Sequence, residues 1–248
     1  MRLFRFFDST GGLLTLKNQR MRLRDPKQFN DPFELSPRFP PDASIIEEFS
    51  RFAGPVDPFW HGHAAEAARF ALMQSFGQRG RLLCCSKSPE NILMWSHYGE
   101  QHRGLVLEIE TDIFCDERLF FSEILKVDYE LDRPLATALF DDTTEAFARD
   151  ARKSLKTKAE FWSYEQEFRV LIPIFDGMRI VDGHYELPFE PGAIKSVTLG
   201  CASHLASEHQ FEESIKEVLE QPAYNHLERR KAYIHRDEFK LVFEALNL

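Results

Sequence analysis

Short runs of alternating apolar and polar residues recur along this chain, interrupted at irregular intervals by helical spacing. LFRFF (residues 3–7) reads as a strand, LLTLKN (13–18) as part of a helix and RMRLR (20–24) as a second strand. Period-two alternation suits a half-buried strand, whereas a 3.6-residue spacing suits one face of a helix. RLLCCS (81–86) is a continuous apolar run of the kind a buried strand carries, and GLVLEIE (104–110) and ILKVDY (124–129) alternate as strands. In EFRVLIPIF (167–175), Phe168, Val170 and Ile172 fall on one face of a strand. GHYELPF (183–189) and IKSVTLG (194–200) add two more, and YIHRD (233–237) with FKLVFEAL (239–246) supplies one or two at the end.

The helical segments carry clearer punctuation. In the stretch ENILMWSHY (90–98), Ser88 is placed to cap a helix, Pro89 to occupy its first position and Gly99 to end it. Longer helices are expected over residues 134–162 and over HLASEHQFEESIKEVLEQ (204–221). Residues 36–62 are rich in proline and aromatics around a short amphipathic run, IIEEFSRF, and the helical AAEAARFALMQSFG follows. Residues 36–79 therefore read as a helical insertion or lid over a core fold. Strands and helices mix without regular strand-helix-strand crossovers. The expected fold is α+β: a single domain over residues 1–248, with a mixed, mostly antiparallel, split sheet flanked by helices.

Composition narrows the function classes. Of 248 residues, 43% are hydrophobic and 23 are Phe, which excludes a disordered chain. No segment approaches the roughly 18 to 20 apolar residues of a membrane span, and no apolar stretch near the start has signal-peptide length. A cytoplasmic protein without a membrane partner is expected. Cys84, Cys85, Cys115 and Cys201 form neither a CxxC nor a disulfide framework, so they read as reduced thiols. A net charge of −9 argues against a surface that coats nucleic acid, yet residues 1–28 hold seven cations against two carboxylates and offer a local place for an anion.

Three clusters carry candidate chemistry. In PKQFNDPFEL (26–35), Asn-Asp-Pro fixes a turn, Phe29 and Phe33 anchor it, and Asn30, Asp31 and Glu34 are presented by a stiff loop. In LCCSKSPENILMWSHYGEQHRG, the strand end at Ser86 and the helix start near Ser88 offer hydroxyls and amides to an anion or a ribose hydroxyl. On that helix Met94 and Tyr98, like Leu93 and His97, lie four apart, a spacing that serves a core face or a ligand-binding face equally. In WSYEQEFRVLI, extending the strand backwards puts Glu165, Glu167 and Arg169 on the face opposite the core, the carboxylates about 7 Å apart. Two carboxylates and a guanidinium there suit a general base with cation stabilisation, or a salt bridge on an exposed strand. His61 with His63, and His97 with His102, lack metal-ligand spacing, so no metal is expected.

Together FNDPFE (29–34), MWSHYG-x-x-HRG (94–104) and W-x-YE-x-EFR (162–169) resemble a bacterial and phage family known as domain of unknown function family 2971, a name that implies no activity. A further resemblance is to ADP-ribosyltransferases of the Arg-Ser-Glu type. It places Arg5 on the first strand, Ser86 with Ser88 at the end of a middle strand, and Glu165 with Glu167 in an ExE motif on a later one. The middle motif here is Ser-Lys-Ser rather than Ser-Thr-Ser, and the insertion precedes it. The resemblance implies NAD as substrate, a protein or nucleic-acid acceptor, and a toxin or phage-defence setting. By that resemblance Glu165 and Glu167 are catalytic, with His97 as a further candidate. Arg5, Asn30, Asp31, Ser86, Ser88, Trp95, Tyr98 and Arg169 are candidates for nucleotide binding. Two alternatives stand beside it: a non-catalytic ligand- or partner-binding module, and a metal-dependent nuclease using Asp31, Glu34, Glu165 and Glu167 as oxygen ligands.

Overall fold

The computed structural model describes residues 1–111, 123–136, 144–176 and 178–246. Its elements run in the order β1 (Arg2–Phe7), α1 (Ser9–Asn18), β2 (Arg20–Arg22), α2 (Asp42–Ala53), α3 (Ala64–Arg79), β3 (Gly80–Ser86), α4 (Ile92–Tyr98) and β4 (Leu105–Glu110). They continue with β5 (Glu123–Lys126), β6 (Asp128–Glu130), α5 (Thr144–Lys156), β7 (Thr157–Ala159), β8 (Glu167–Pro173), β9 (Arg179–Val181) and β10 (His184–Pro188). The last four are β11 (Ile194–Leu199), α6 (Phe211–Leu219), β12 (Glu228–Ile234) and β13 (Leu241–Ala245).

Eight strands form one sheet in the order β13-β12-β11-β4-β1-β3-β8-β5. Its pairings are antiparallel except for β11 with β12, and β2-β10-β9 form a second, three-stranded sheet. The fold is thus α+β with a mixed sheet. Among the described residues no helix is long and apolar enough to cross a membrane.

Alternation along β1 distributes the core. Leu3 and Phe7 point into the large cluster under α1 and α6, which includes Leu16, Ile215 and Leu219. Phe6 points the other way, against Met94 and Trp95 of α4, with the Phe6 and Trp95 rings edge-to-face at 5.3 Å. A third cluster, Leu35, Leu82, Leu125 and Leu155, lies under α5. β1 and β3 are joined at a single pairing, Phe4 with Ser86, whereas β1 pairs with β4 along its whole length. The sheet therefore parts between β1 and β3, and the candidate site lies in that gap.

Several expectations are corrected. The helix expected over residues 134–162 is a helix only over Thr144–Lys156; residues 157–159 instead pair with β6, and 160–165 form a 3₁₀ turn. β-Branched Thr157 begins the extended stretch, and Lys153 and Lys156 end the helix where cations suit its dipole. The 137–143 part of that expectation lies outside the described residues, as does Cys115. The helix expected over 204–221 begins at Phe211, because Ser207 is committed to Glu100 and Gln210 turns with φ of 53°. Phe33, expected as an anchor, is 61% exposed; the anchoring ring is Phe29.

The helix cap is also reassigned. Asn91, not Ser88, caps α4, its Oδ1 accepting from the Leu93 and Met94 amides at 2.8 and 3.4 Å. The Ser88 hydroxyl accepts from Glu90 instead, and Pro89 precedes the helix, its carbonyl accepting from Trp95 Nε1 at 2.7 Å. After α4 the chain makes an unusual turn: Glu100, Gln101 and His102 all have left-handed φ of 51°, 50° and 68°. That turn brings Gly104 against β1, where a Cβ would lie 1.9 Å from the Phe7 carbonyl oxygen. The glycine of HRG is therefore required by close backbone approach.

The cap assignment predicts that Asn91→Ala loses about 1 to 2 kcal/mol, because the cap is lost together with the bond from Nδ2 to the Tyr164 carbonyl. Ser88→Ala should lose less than half of that. Urea denaturation of the two variants measures the difference, and the reverse order would return the cap to Ser88.

Candidate functional site

Where β1 and β3 part, a cavity of about 100 Å³ is lined by Arg5, Asn30, Ser86, Tyr98, Glu165 and Glu167, which come from all three motifs and from β1 and β3. It adjoins a cleft of about 740 Å³ that shares Arg5, Phe6, Arg24 and Tyr98 and reaches His97 and Glu100. Segments distant in sequence thus meet at one place.

The two carboxylates are not on one exposed strand face. Glu165 lies in the turn before β8, and Gln166 between them has left-handed φ of 46°, so the strand begins only at Glu167. Both are buried, as is Arg169 at 0% exposure. An exposed-strand salt bridge is therefore replaced by a buried ion cluster.

Lys158 of β7 sits at its centre, its Nζ 2.5 Å from Glu165, 3.2 Å from Glu167 and 3.6 Å from Glu34. Arg169 holds Glu167 with two bonds, from Nε at 3.0 Å and Nη2 at 2.9 Å, and also bonds Glu34 and the Leu155 carbonyl. Tyr98 donates to Glu165 at 2.6 Å, and Tyr129 accepts from the Glu167 amide at 2.7 Å.

Two cations face three carboxylates, and that imbalance separates the carboxylates electrostatically. Burial alone would raise Glu167, but Arg169 and Lys158 overcome it and hold the group down at about 2. Burial raises Glu165 despite Lys158, and raises Glu34 to about 7 despite Arg169. Burial alone would lower Lys158, yet Glu167, Glu34 and Glu165 keep it charged and above its ordinary range. A depressed Glu167 stabilises the fold above its unfolded value of about 4.5, and that contribution is lost as pH falls toward 2. Glu34 runs the other way, since ionising it between about 4.5 and 7 costs stability.

Arg5 provides the other electrostatic feature. Its Nη2 donates to the Arg22 carbonyl at 2.6 Å, but its buried Nη1 has no partner among the described residues. Burial lowers Arg5, and neighbouring Arg24 adds to the same direction. An unpaired guanidinium edge in a cavity is a place for an anion.

The remaining candidates divide. Asn30 and Ser86 line the cavity, with the Ser86 hydroxyl donating to the Glu165 carbonyl at 2.7 Å. His97 is exposed at the wider cleft, its ring 6.2 to 6.4 Å from Tyr98, Trp162 and Tyr164. Asp31 instead braces its own turn by accepting from the Phe33 amide at 2.9 Å. Ser88 lies off the cavity lining, Trp95 is a core residue at 0% exposure, and Arg169 has its fork committed within the ion cluster. These four are structural in this arrangement. Met94 turns inward while Leu93 and His97 face out, which resolves the ambiguity of that helix.

Sequence reasoning missed Lys158 and Glu100, and reached Arg24 only as one of the seven cations of residues 1–28. Lys158 lies in LKTKAE, where nothing in the local pattern separates it from solvated lysines. Burial works against ionised Glu100, but bonds from Ser207 and Ser9 hold it at about 2 and tie the left-handed turn to the start of α1.

Residues 94–170 match the model of a family described as a protein of unknown function (DUF2971). That span runs from α4 through most of β8 and holds Tyr98, Lys158, Glu165, Glu167 and Arg169. Comparison with curated proteins and with solved structures finds no match.

The ion cluster predicts that Lys158→Met is strongly destabilising, by about 3 to 5 kcal/mol, because it strands buried carboxylates without their cation. Adding Glu165→Gln should recover part of that loss. Urea unfolding at neutral pH measures both, and a single variant as stable as wild type would contradict the cluster.

Proposed function

We propose that this chain binds a nucleotide in the cavity between β1 and β3 and acts as an NAD-dependent ADP-ribosyltransferase-like protein of a bacterial toxin or phage-defence system. One observation carries the reading. Arg5, Ser86 and Glu167, far apart in sequence, line one cavity from three strands that are neighbours in the sheet, β1, β3 and β8. These are the residue types and the chain order of the Arg-Ser-Glu resemblance.

The residues present fit such a substrate. The unpaired edge of Arg5, with Arg24 beside it, meets phosphate oxygens, and the neighbouring cleft of about 740 Å³ has room for the part of a dinucleotide that the smaller cavity cannot hold. Ser86 spends its proton on the Glu165 carbonyl and so offers a ribose hydroxyl an acceptor. Glu167 carries a negative charge close to the cavity, suited to the positive charge that develops as the bond to nicotinamide breaks. Glu165, pushed up by burial against the lowering pull of Lys158 and of the Tyr98 hydroxyl, is the better proton acceptor for an incoming protein or nucleic-acid nucleophile.

A second reading, a module that binds a nucleotide or partner without turnover, is favoured by the ion pairing itself. Arg169 already bonds both carboxylate oxygens of Glu167, which weakens its pull on a developing cation. The nuclease alternative gains no support, because the Lys158 ammonium occupies the place among Glu34, Glu165 and Glu167 that a divalent cation would take.

Incubation with NAD and cell lysate separates the readings. For the transferase, wild type binds NAD by calorimetry and releases nicotinamide. Folded Glu167→Gln keeps its affinity within a few-fold but loses about a hundred-fold or more in rate. NAD binding with no nicotinamide release in any acceptor mixture would select the binding module, and absence of NAD binding would remove both NAD readings.

A further inference from the structure

Lys158 also borders a second cavity, of about 440 Å³, on the side away from Arg5, between the FNDPFE loop, residues 130–134 and the turn after β7. We propose that this cavity is a binding site for a single nucleotide, holding the base among its apolar rim residues and the phosphate at its arginines.

Four observations support the assignment. The volume lies within the range of small-ligand pockets. At its rim Phe33 and Phe161 are 61% and 85% exposed, two large rings in solvent beside one opening. Exposed rings beside a cavity are platforms on which any base can stack. Arg133 lies over the Phe33 ring at 5.9 Å, and the Arg38 Nε donates to the Arg133 carbonyl, so two guanidinium groups stand beside the same opening.

The fourth observation decides between a hydrocarbon and a polar-edged ring. Ser36 lines this cavity and is 5% exposed, and its buried hydroxyl has no hydrogen-bond partner among the described residues. A purely apolar occupant would leave it unpaired, whereas a base brings donors and acceptors in the plane of its ring. Glu130 and Asp132 also line the cavity, so a run of phosphates would be repelled while a single one at the arginines is accommodated. The ligand class is therefore a nucleotide and not a nucleic-acid strand.

The test uses the full chain with adenosine and uridine 5′-monophosphate, read by calorimetry, together with photo-crosslinking to 5-bromouridine monophosphate. Wild type should bind at least one of the two. The double variant Phe33→Ser/Phe161→Ser, which changes only exposed rings, should weaken binding by about tenfold or more. Ser36→Ala should weaken it with both rings in place. Crosslinks should map to residues 33–38 or 154–161. Absence of binding by wild type, unchanged affinity in the double variant, or crosslinks confined to residues 1–24 would each overturn the proposal. So would preference for a tyrosine-containing peptide over both nucleotides, since that marks a protein-docking site. Nicotinamide release from NAD is read separately, so failure here leaves the transferase reading standing, and the converse holds.

Discussion

Two buried cations, Lys158 and Arg169, must neutralise three carboxylates drawn from separate segments of the chain: Glu34 from the FNDPFE loop, Glu165 from the turn before β8, and Glu167 from β8 itself. Removing one member leaves charge in a region where solvation is poor, so each segment is held by the others. The loop, the turn and the strand therefore form one unit. The charge imbalance has a second effect, because the two cations do not serve the three carboxylates equally. Both cations also reach Glu34, but Glu167 takes two bonds from Arg169 and is held low, while burial drives Glu34 and Glu165 upward. Stability and the chemical difference between the two glutamates of ExE have the same physical origin.

The sheet gives this cluster access to solvent. β1 leaves β3 after the Phe4–Ser86 pairing, and the residues that would continue the ladder, Arg5, Phe6, Cys84 and Cys85, line the cavity instead. Nearby, the left-handed turn over residues 100–102 and the close approach of Gly104 to Phe7 fix the end of α4, and hence Tyr98, relative to β1. Tyr98 in turn bonds Glu165 and borders both the small cavity and the wider cleft. The middle motif thus acts through backbone geometry as much as through its side chains. Lys158 borders cavities on two sides, which makes the ion cluster a wall between them.

Much of the fold was legible because alternation and apolar runs report burial directly. LFRFF, RLLCCS, GLVLEIE and EFRVLI all form strands near their expected positions, and the split in the sheet falls between two of them. The long helices were overextended because helical spacing does not report tertiary commitments. Residues 157–159 pair with β6, and Ser207 is drawn to Glu100. Ser88 competed with Asn91 as a cap, and both are good cap residues; only the geometry of the turn decides between them. The motifs led to the expectation that Asn30, His97 and Glu167 share one cavity; Asn30 and Glu167 line it, His97 lines only the wider cleft beside it, and the burial of Glu167 was not legible. Charged residues alternating on a strand look solvent-facing until a lysine outside every motif covers them, and Lys158 is that lysine.

The most direct measurement of this account is the titration of individual glutamate side chains, followed by carboxyl carbon chemical shifts in selectively labelled protein between pH 2 and pH 8, assigned with single Glu→Gln variants. The ion cluster predicts three separated behaviours: Glu167 ionised down to about 2, Glu165 displaced upward from the ordinary glutamate range, and Glu34 titrating near 7. A common midpoint near 4.5 for all three would mean that solvent and not Lys158 and Arg169 sets their charge, and would contradict the cluster on which the site is built.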